Sequence, residues 1–377
     1  MERIYLDNAA TTPLDKDVLA AMLPYLTTHF GNPSSIYSYG RESRLAIETA
    51  RKSVGKRIGA KPGEVFFTSG GTESNNTAIT TSVRDLGCTH IITSPIEHHA
   101  VLHTVQHLQQ QKSASVSYVA LLRDGHIDYA DLELQLSAHS NKGHKCLVTL
   151  MHANNEIGTL LNLARVGEMC GKHKAVFHSD CVQTVGHYPI NLKEINLHFI
   201  SGSGHKFHGS KGVGILYVKE DVHIKPFIFG GGQERNMRAG TENVYGIVGF
   251  GEALEIASRN YEKDVLYISG LKQYMAVQLQ KNIAGVSFNG DVKEGLYTVL
   301  SVCFPKTEKS DFLLFNLDIN NICISGGSAC SSGTDIGSHV MDALQKNKEY
   351  NTIRFSFSKY NTKEEVDVVI QKLVEFI

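Results

Sequence analysis

The residues able to do chemistry sit in a few short segments. Ser201-Gly202-Ser203-Gly204-His205-Lys206 falls between strand-like runs at 197–200 and 214–218. A lysine placed between buried strands is disfavoured when charged, because desolvation favours the neutral amine, the form a Schiff-base lysine needs. A surface hairpin with a solvated lysine is the plain alternative. Asp180 closes the apolar run Phe177-His178-Ser179-Asp180, where a carboxylate calls for a cationic partner such as a pyridinium nitrogen. Without Lys206 downstream it would read as a helix N-cap. Thr68-Ser69-Gly70-Gly71-Thr72-Glu73-Ser74-Asn75-Asn76 follows a strand and opens a helix, so its N–H groups and hydroxyls could cradle a phosphate. On this segment alone an ordinary strand-to-helix turn is the better reading. Neither G-x-x-x-x-G-K-[ST] nor G-x-G-x-x-G at a strand-to-helix junction is present, which directs a phosphate reading away from nucleotides.

Cysteine and histidine supply the other candidates. Cys330 lies in Ile324-Ser325-Gly326-Gly327-Ser328-Ala329-Cys330-Ser331-Ser332-Gly333, a run of small residues. A structural cysteine belongs on an apolar face, whereas a thiol here is accessible and can travel. The seven cysteines are odd in number and never form C-x-x-C, against both a disulfide framework and a zinc ribbon. His99, His103 and His107 recur at helical spacing, but H-E-x-x-H is absent, so a solvated helix face is expected and no metal site. His98, in the turn before that helix, could meet a planar cofactor.

These residues need a frame, and the chain alternates short β-branched runs with helical stretches from about residue 64. Strands are expected at 65–68, 91–93, 116–121, 146–151 and 175–178, and helices at 73–82, 99–110 and 163–173. That rhythm predicts an α/β fold, a largely parallel sheet covered by helices on both faces. Near residue 250 the texture changes to a long amphipathic stretch and then shorter strands. The expected division is a large unit over 1–250 and a smaller α+β unit over 251–377, with the N-terminal segment packing against the latter. Thr362-x-x-Glu365 is a capping box opening the last helix.

Charge narrows the function. Lys and Arg number 37 against 38 Asp and Glu, which leaves no basic field for nucleic acid or an anionic bilayer. The opening residues lack the order of a secretory signal and no apolar run approaches bilayer length, so a cytoplasmic protein is expected.

Together these segments resemble the NifS/IscS-type cysteine desulfurases, from Tyr5-Leu6-Asp7-Asn8-Ala9-Ala10-Thr11-Thr12 to Ile353-Arg354-Phe355-Ser356. Further matching blocks are Glu97-His98-His99-Ala100-Val101, Met151-His152-Ala153-Asn154-Asn155-Glu156, and Gly230-Gly231-Gly232-Gln233-Glu234-Arg235-Asn236-Met237-Arg238-Ala239-Gly240-Thr241. The resemblance covers nearly the whole chain. It implies a fold-type I pyridoxal 5′-phosphate (PLP) enzyme that is a homodimer. Lys206 would hold the cofactor, Asp180 pair with the pyridine nitrogen, Gln183 bond the phenolic oxygen, and His98 stack on the ring and move protons. Gly71, Thr72, Ser203 and His205 would hold the phosphate, with Thr241 reaching it from the other subunit. Asn155 and Arg354 would orient L-cysteine, Arg354 by a bidentate contact with its carboxylate. Cys330 would take the sulfur as a persulfide, pass it to an acceptor protein, and serve at most as a transient iron–sulfur ligand beside a scaffold partner. A selenocysteine or cystine lyase would not need that thiol, and a non-catalytic docking protein would not need the full residue set.

Within that family the Gly/Ser segment matches the long-loop class. It differs by an extra glycine before the cysteine and no proline after it. The chain ends at Ile377 without the extension that long-loop members use beside their scaffold, so the resemblance does not identify the scaffold.

Overall fold

Paired apolar residues such as Ile91-Ile92, Leu147-Val148, Val176-Phe177 and Phe199-Ile200 become the centres of strands with no exposed face. The computed structural model describes residues 3–306, 312–326, 337–345 and 350–377. Cys330 and most of its Gly/Ser segment lie outside the described residues. In chain order the described strands are β1 (Ile4–Tyr5), β2 (Val65–Thr68), β3 (His90–Thr93), β4 (Ser115–Tyr118), β5 (Cys146–Thr149) and β6 (Val176–Asp180), then β7 (Phe199–Ser203), β8 (Gly214–Val218), β9 (Ser287–Asn289), β10 (Val299–Pro305), β11 (Ile322–Cys323) and β12 (Tyr350–Ser356).

The main sheet is 7-stranded, in the order β2-β8-β7-β6-β5-β3-β4. The neighbours from β7 to β4 are parallel, and β8 runs antiparallel to both β7 and β2. Side chains alternate between two cores, as a strand requires. Val148, Phe177, Ile200 and Ile215 enter one, closed by Ile47 and Val54 of the helix Ser38–Ile58 and by Phe250. Leu147, Val176, Phe199 and Leu216 enter the other, closed by Ile79 of Gly71–Arg84 and by Val101 and Val105 of His99–Gln110.

A further core gathers the 3-stranded antiparallel sheet β12-β10-β9 with the last helix, Lys363–Phe376, around Phe304, Phe355 and Leu373. Thr362 and Glu365 cap that helix reciprocally, at 3.0 and 3.2 Å. Ile4 and Leu6 join this core from the N-terminus. Residue 250 falls inside one continuous helix, Val244–Asn282, whose Ile247 and Phe250 pack on the main sheet while Met275 and Leu279 enter the further core. Among the described residues no helix is long and apolar enough to cross a membrane.

One boundary moves for a clear reason. β7 continues to Ser203, past the expected end at 200, because Ser201, Gly202 and Ser203 pair with Leu216, Ile215 and Gly214 of β8. This extension carries the polar end of β7 into the site.

Candidate active site

Parallel strands deliver their C-terminal ends to one edge of a sheet, and ligands bind in the crevice there. β6 brings Asp180 to that edge, β7 brings Ser203, and the segments after β3 and β5 bring His98 and Asn155. They line one cleft of about 1100 Å³ together with Gly71, Thr72, Gln183, His205, Lys206 and Arg354. Thr241 is exposed and does not line the cleft of its own chain.

One end of the cleft is built for close backbone approach. Gly70 has φ 154° and ψ −179°, a conformation that only glycine adopts freely. A Cβ on Gly214 would stand 2.7 Å from the Gly70 Cα, and one on Gly71 would stand 2.5 Å from Val182 Cγ2. The turn then opens the helix Gly71–Arg84, whose first residues Gly71 and Thr72 line the cleft with Ser203. Glu73 braces it, accepting from Ser69 N at 2.8 Å and from Arg238 Nε and Nη2 at 3.0 and 3.1 Å. Burial pushes the Glu73 carboxyl up, but the bonds from Arg238 and Ser69 prevail and hold it below its ordinary range.

The middle of the cleft holds a buried carboxylate with fixed orientation. Asp180 Oδ1 accepts from Val182 N at 2.9 Å, and Oδ2 accepts from Asn75 Nδ2 at 2.6 Å. Since a carboxylate only accepts, the amide of Asn75 must turn its nitrogen to Asp180. Its Oδ1 is buried with no hydrogen-bond partner among the described residues, an acceptor awaiting a donor. The Lys206 amine donates to the carbonyls of Ala9 and Ala10 at 2.7 and 2.9 Å, and Gln183 Nε2 donates to Ala9 O at 3.0 Å. The N-terminal segment is therefore a wall of the site.

His98 is the N-cap of the helix His99–Gln110: its Nδ1 accepts from Ala100 N at 3.1 Å, which leaves a neutral ring's proton on Nε2. Burial lowers its pKa, against the opposing pull of Asp180. His205 is driven down to about 4 by burial, with Lys206 and Lys211 adding to the effect. Arg354, 2% exposed on β12, donates Nη2 to Asp7 Oδ1 at 2.7 Å and Nη1 to Asn155 O at 2.9 Å. Its Nε is buried without a partner among the described residues.

The sequence expectation for His99 is corrected by the structure. Rather than facing solvent with His103 and His107, it is half-buried in the cleft, its ring 4.6 Å from that of His339. His339 is held there by its bond from Nε2 to Glu97 O at 2.9 Å, a contact that helical spacing around 99 cannot reveal. Asn75 and Asp7 are the other participants that the sequence reading missed. Asn75 lies in the same helical stretch as Thr72, where its spacing marks it as facing the sheet, and that signal was available.

The Aminotransferase class-V family profile matches residues 4–369 of this chain. A cysteine desulfurase IscS of Dictyoglomus turgidum is 43% identical over 378 residues, covering 99% of this chain and 94% of that one. A solved NifS-like protein is 37% identical with a TM-score of 0.89, covering 99% and 98% of the two chains. A protein named SspA, solved in complex with cysteine, is 32% identical with a TM-score of 0.80, covering 95% of this chain and all 100% of that one. The chain belongs to the class-V aminotransferase family, in its NifS/IscS-type cysteine desulfurase group.

Enzymes of this group depend on pyridoxal 5′-phosphate, and the residues present fit that group. The glycine cradle, which a Cβ would obstruct, suits a phosphate, and the oriented Asp180 suits a ring cation. The orphaned Asn75 Oδ1 is a buried acceptor left over in the same cleft.

Proposed function

We propose that this chain takes sulfur from L-cysteine, releases L-alanine, and holds the sulfur on Cys330 as a persulfide before an acceptor protein collects it. The observation that carries the reading is that Lys206, the oriented buried carboxylate of Asp180 and the buried Arg354 line one cleft. The name of the relative in Dictyoglomus turgidum and the cysteine bound to SspA support the substrate.

Gly71, Thr72, Ser203 and His205 hold the cofactor phosphate, Gln183 its phenolic oxygen, and Asp180 keeps its ring nitrogen protonated. Bound there, the cofactor supplies an electron sink for the pair left when the substrate Cα loses its proton. Lys206 would hold the cofactor, and its Nζ would move the substrate Cα proton. His98 would stack on the ring and exchange a proton at Nε2, since its Nδ1 is the acceptor of the N-cap bond. Arg354 receives the substrate carboxylate and Asn155 orients it. Cys330 attacks the substrate sulfur: the C–S bond breaks, an S–S bond forms, and alanine is completed by one proton added at Cβ and the earlier one returned to Cα.

The active form is a homodimer, cytoplasmic, with Thr241 contributed across the interface to the phosphate. In support, Phe30, Ile36, Leu45 and Phe229 are 73%, 89%, 68% and 77% exposed, more apolar surface than a free face tolerates well. The free thiols of Cys88, Cys146, Cys170, Cys181, Cys303 and Cys323 suit a reducing compartment. A large unit over 1–250 carries the cofactor and a smaller one over 251–377 carries the cysteine segment and Arg354. The acceptor serves iron–sulfur cluster or other sulfur-cofactor assembly.

The test is alanine release from L-cysteine with mass spectrometry of the Cys330 peptide. One added sulfur is expected on Cys330. Its consistent appearance on Cys181 or Cys323 would overturn the assignment. Lys206→Ala should abolish turnover while the protein still binds cofactor, and wild-type rates in that variant would remove Lys206 from the reaction.

A further inference from the structure

Arg354 does not wait for its ligand as an isolated cation. Asp7 Oδ1 stands 2.7 Å from Nη2, the Asn155 carbonyl takes Nη1 at 2.9 Å, and only Nε lacks an acceptor among the described residues. Asp7 cannot easily turn away. Its carbonyl accepts from Ala10 N at 3.0 Å, Thr11 N at 3.4 Å and Tyr5 OH at 3.1 Å, and Asp7 bridges Ser356, two residues beyond Arg354 on β12. The pair is set by the backbone at both ends.

We propose that Asp7 sets the charge selectivity of the substrate pocket, so that the site takes a small amino acid with one carboxylate and turns away one that brings a second. This rests on the reading of Arg354 as receptor of the substrate carboxylate. The guanidinium and Asp7 cancel before substrate arrives, and one entering carboxylate makes the local balance negative. The unpartnered Nε supplies a directed donor that makes this first carboxylate welcome. A second carboxylate on so small a molecule lies within about 5 Å of the first, where in a partly desolvated site like charges repel strongly. Among the described residues the other lysine or arginine lining the cleft is Lys206, whose amine is turned to the carbonyls of Ala9 and Ala10. Glu156 also lines the cleft and adds no cation. Asp7 is a positioning and selectivity residue, since it acts on the substrate through Arg354.

The test is equilibrium binding of L-alanine and of L-aspartate to the cofactor-loaded protein, followed by the change in its visible absorption. Wild type should prefer L-alanine, and Asp7→Asn should shrink that preference about tenfold by improving L-aspartate relative to L-alanine. Asp7→Glu, which keeps the charge, should retain it. A purely structural role would weaken both ligands together and leave their ratio unmoved, which would overturn the inference. Equal affinity for the two ligands in wild type would overturn it as well, with no need of a variant, and Asp7→Ser repeats the comparison if Asp7→Asn fails to fold. Arg354→Lys separates the two claims. Weakened L-alanine binding there with an unmoved Asp7→Asn ratio sinks the role of Asp7 alone, whereas unchanged L-alanine binding sinks the receptor reading and the inference with it.

Discussion

Arg51 and Arg354 each face a carboxylate at 2.7 Å, and both side chains are almost wholly buried, at 3% and 2% exposure. Around Arg51 every guanidinium nitrogen has an acceptor: Nη1 and Nη2 reach Glu234, Nη1 also reaches Val65 O, and Nε reaches Glu48. Glu234 accepts in addition from Phe67 N at 2.9 Å. Around Arg354 one nitrogen is left over. A buried charge that is fully bonded joins two pieces of chain, here the helix Ser38–Ile58 and the turn at 234. A buried charge with a donor to spare marks where a ligand completes the set. The difference separates scaffold from receptor without reference to distance from the cleft.

Removing a carboxylate from the complete pair should give the largest effect on folding. Glu234→Ala leaves Arg51 buried with Glu48 and one carbonyl, and we expect a loss of about 3 kcal/mol, toward the low end for a broken buried pair. Thermal and denaturant unfolding measure it, and a loss under about 1 kcal/mol would show that Arg51 is not dependent on Glu234. The receptor pair should respond in the opposite sense. Arg354→Lys keeps a cation beside Asp7 but removes the planar fork, so kcat/KM for L-cysteine should fall roughly a hundredfold with little change in stability. If unfolding suffers more than turnover, the contrast between the two arginines fails.

A smaller effect comes from pH. Burial pushes the Glu156 carboxyl above its ordinary 4.5, while the Ser338 hydroxyl, His339 and Arg354 pull it partly back. A group whose pKa is higher in the folded state contributes stability that is complete below the unfolded value and lost as pH rises through the folded one. Glu156→Gln, which imitates the protonated form, should therefore match wild type near pH 4 and exceed it in stability near pH 8. Parallel stability curves for the two proteins across that range would mean that Glu156 is ionised beside Arg354 throughout.

What was legible in the sequence follows from how local each signal is. The parallel sheet could be read because strands buried on both faces are written as continuous apolar runs. Asp180 stood out as a charge at the end of such a run, and Lys206 as a charge between two of them. The reversal of β8 was also readable, since the connection 207–213 is too short for the crossover a parallel partner needs. Asp7 and His339 were not singled out, because their partners Arg354 and Glu97 lie far along the chain and meet them only in the folded state. The same reason explains His99: helical spacing gives a face, but not what packs on it.

The smallest expected effect probes what the complete pair holds in place. Glu234, Arg235 and Asn236 have φ of 44°, 57° and 66°, three successive non-glycine residues in the left-handed region. Each such residue costs about 1 kcal/mol or more, somewhat less for asparagine. The bonds of Arg51 to Glu234 and of Arg235 Nη2 to Gly63 O and Val65 O offset that cost from the first two positions, and Asn236 is the remaining place to relieve it. Asn236→Gly should therefore raise stability by about 0.5 kcal/mol, the backbone relief being partly cancelled by the greater freedom of glycine in the unfolded chain. Asn236→Ala should lower it by about 1 kcal/mol, because alanine tolerates the left-handed region less well than asparagine. Unfolding midpoints of the two variants give the answer. If alanine proves as stable as glycine, the turn is not strained at 236, and the Arg51–Glu234 pair is not what keeps it wound.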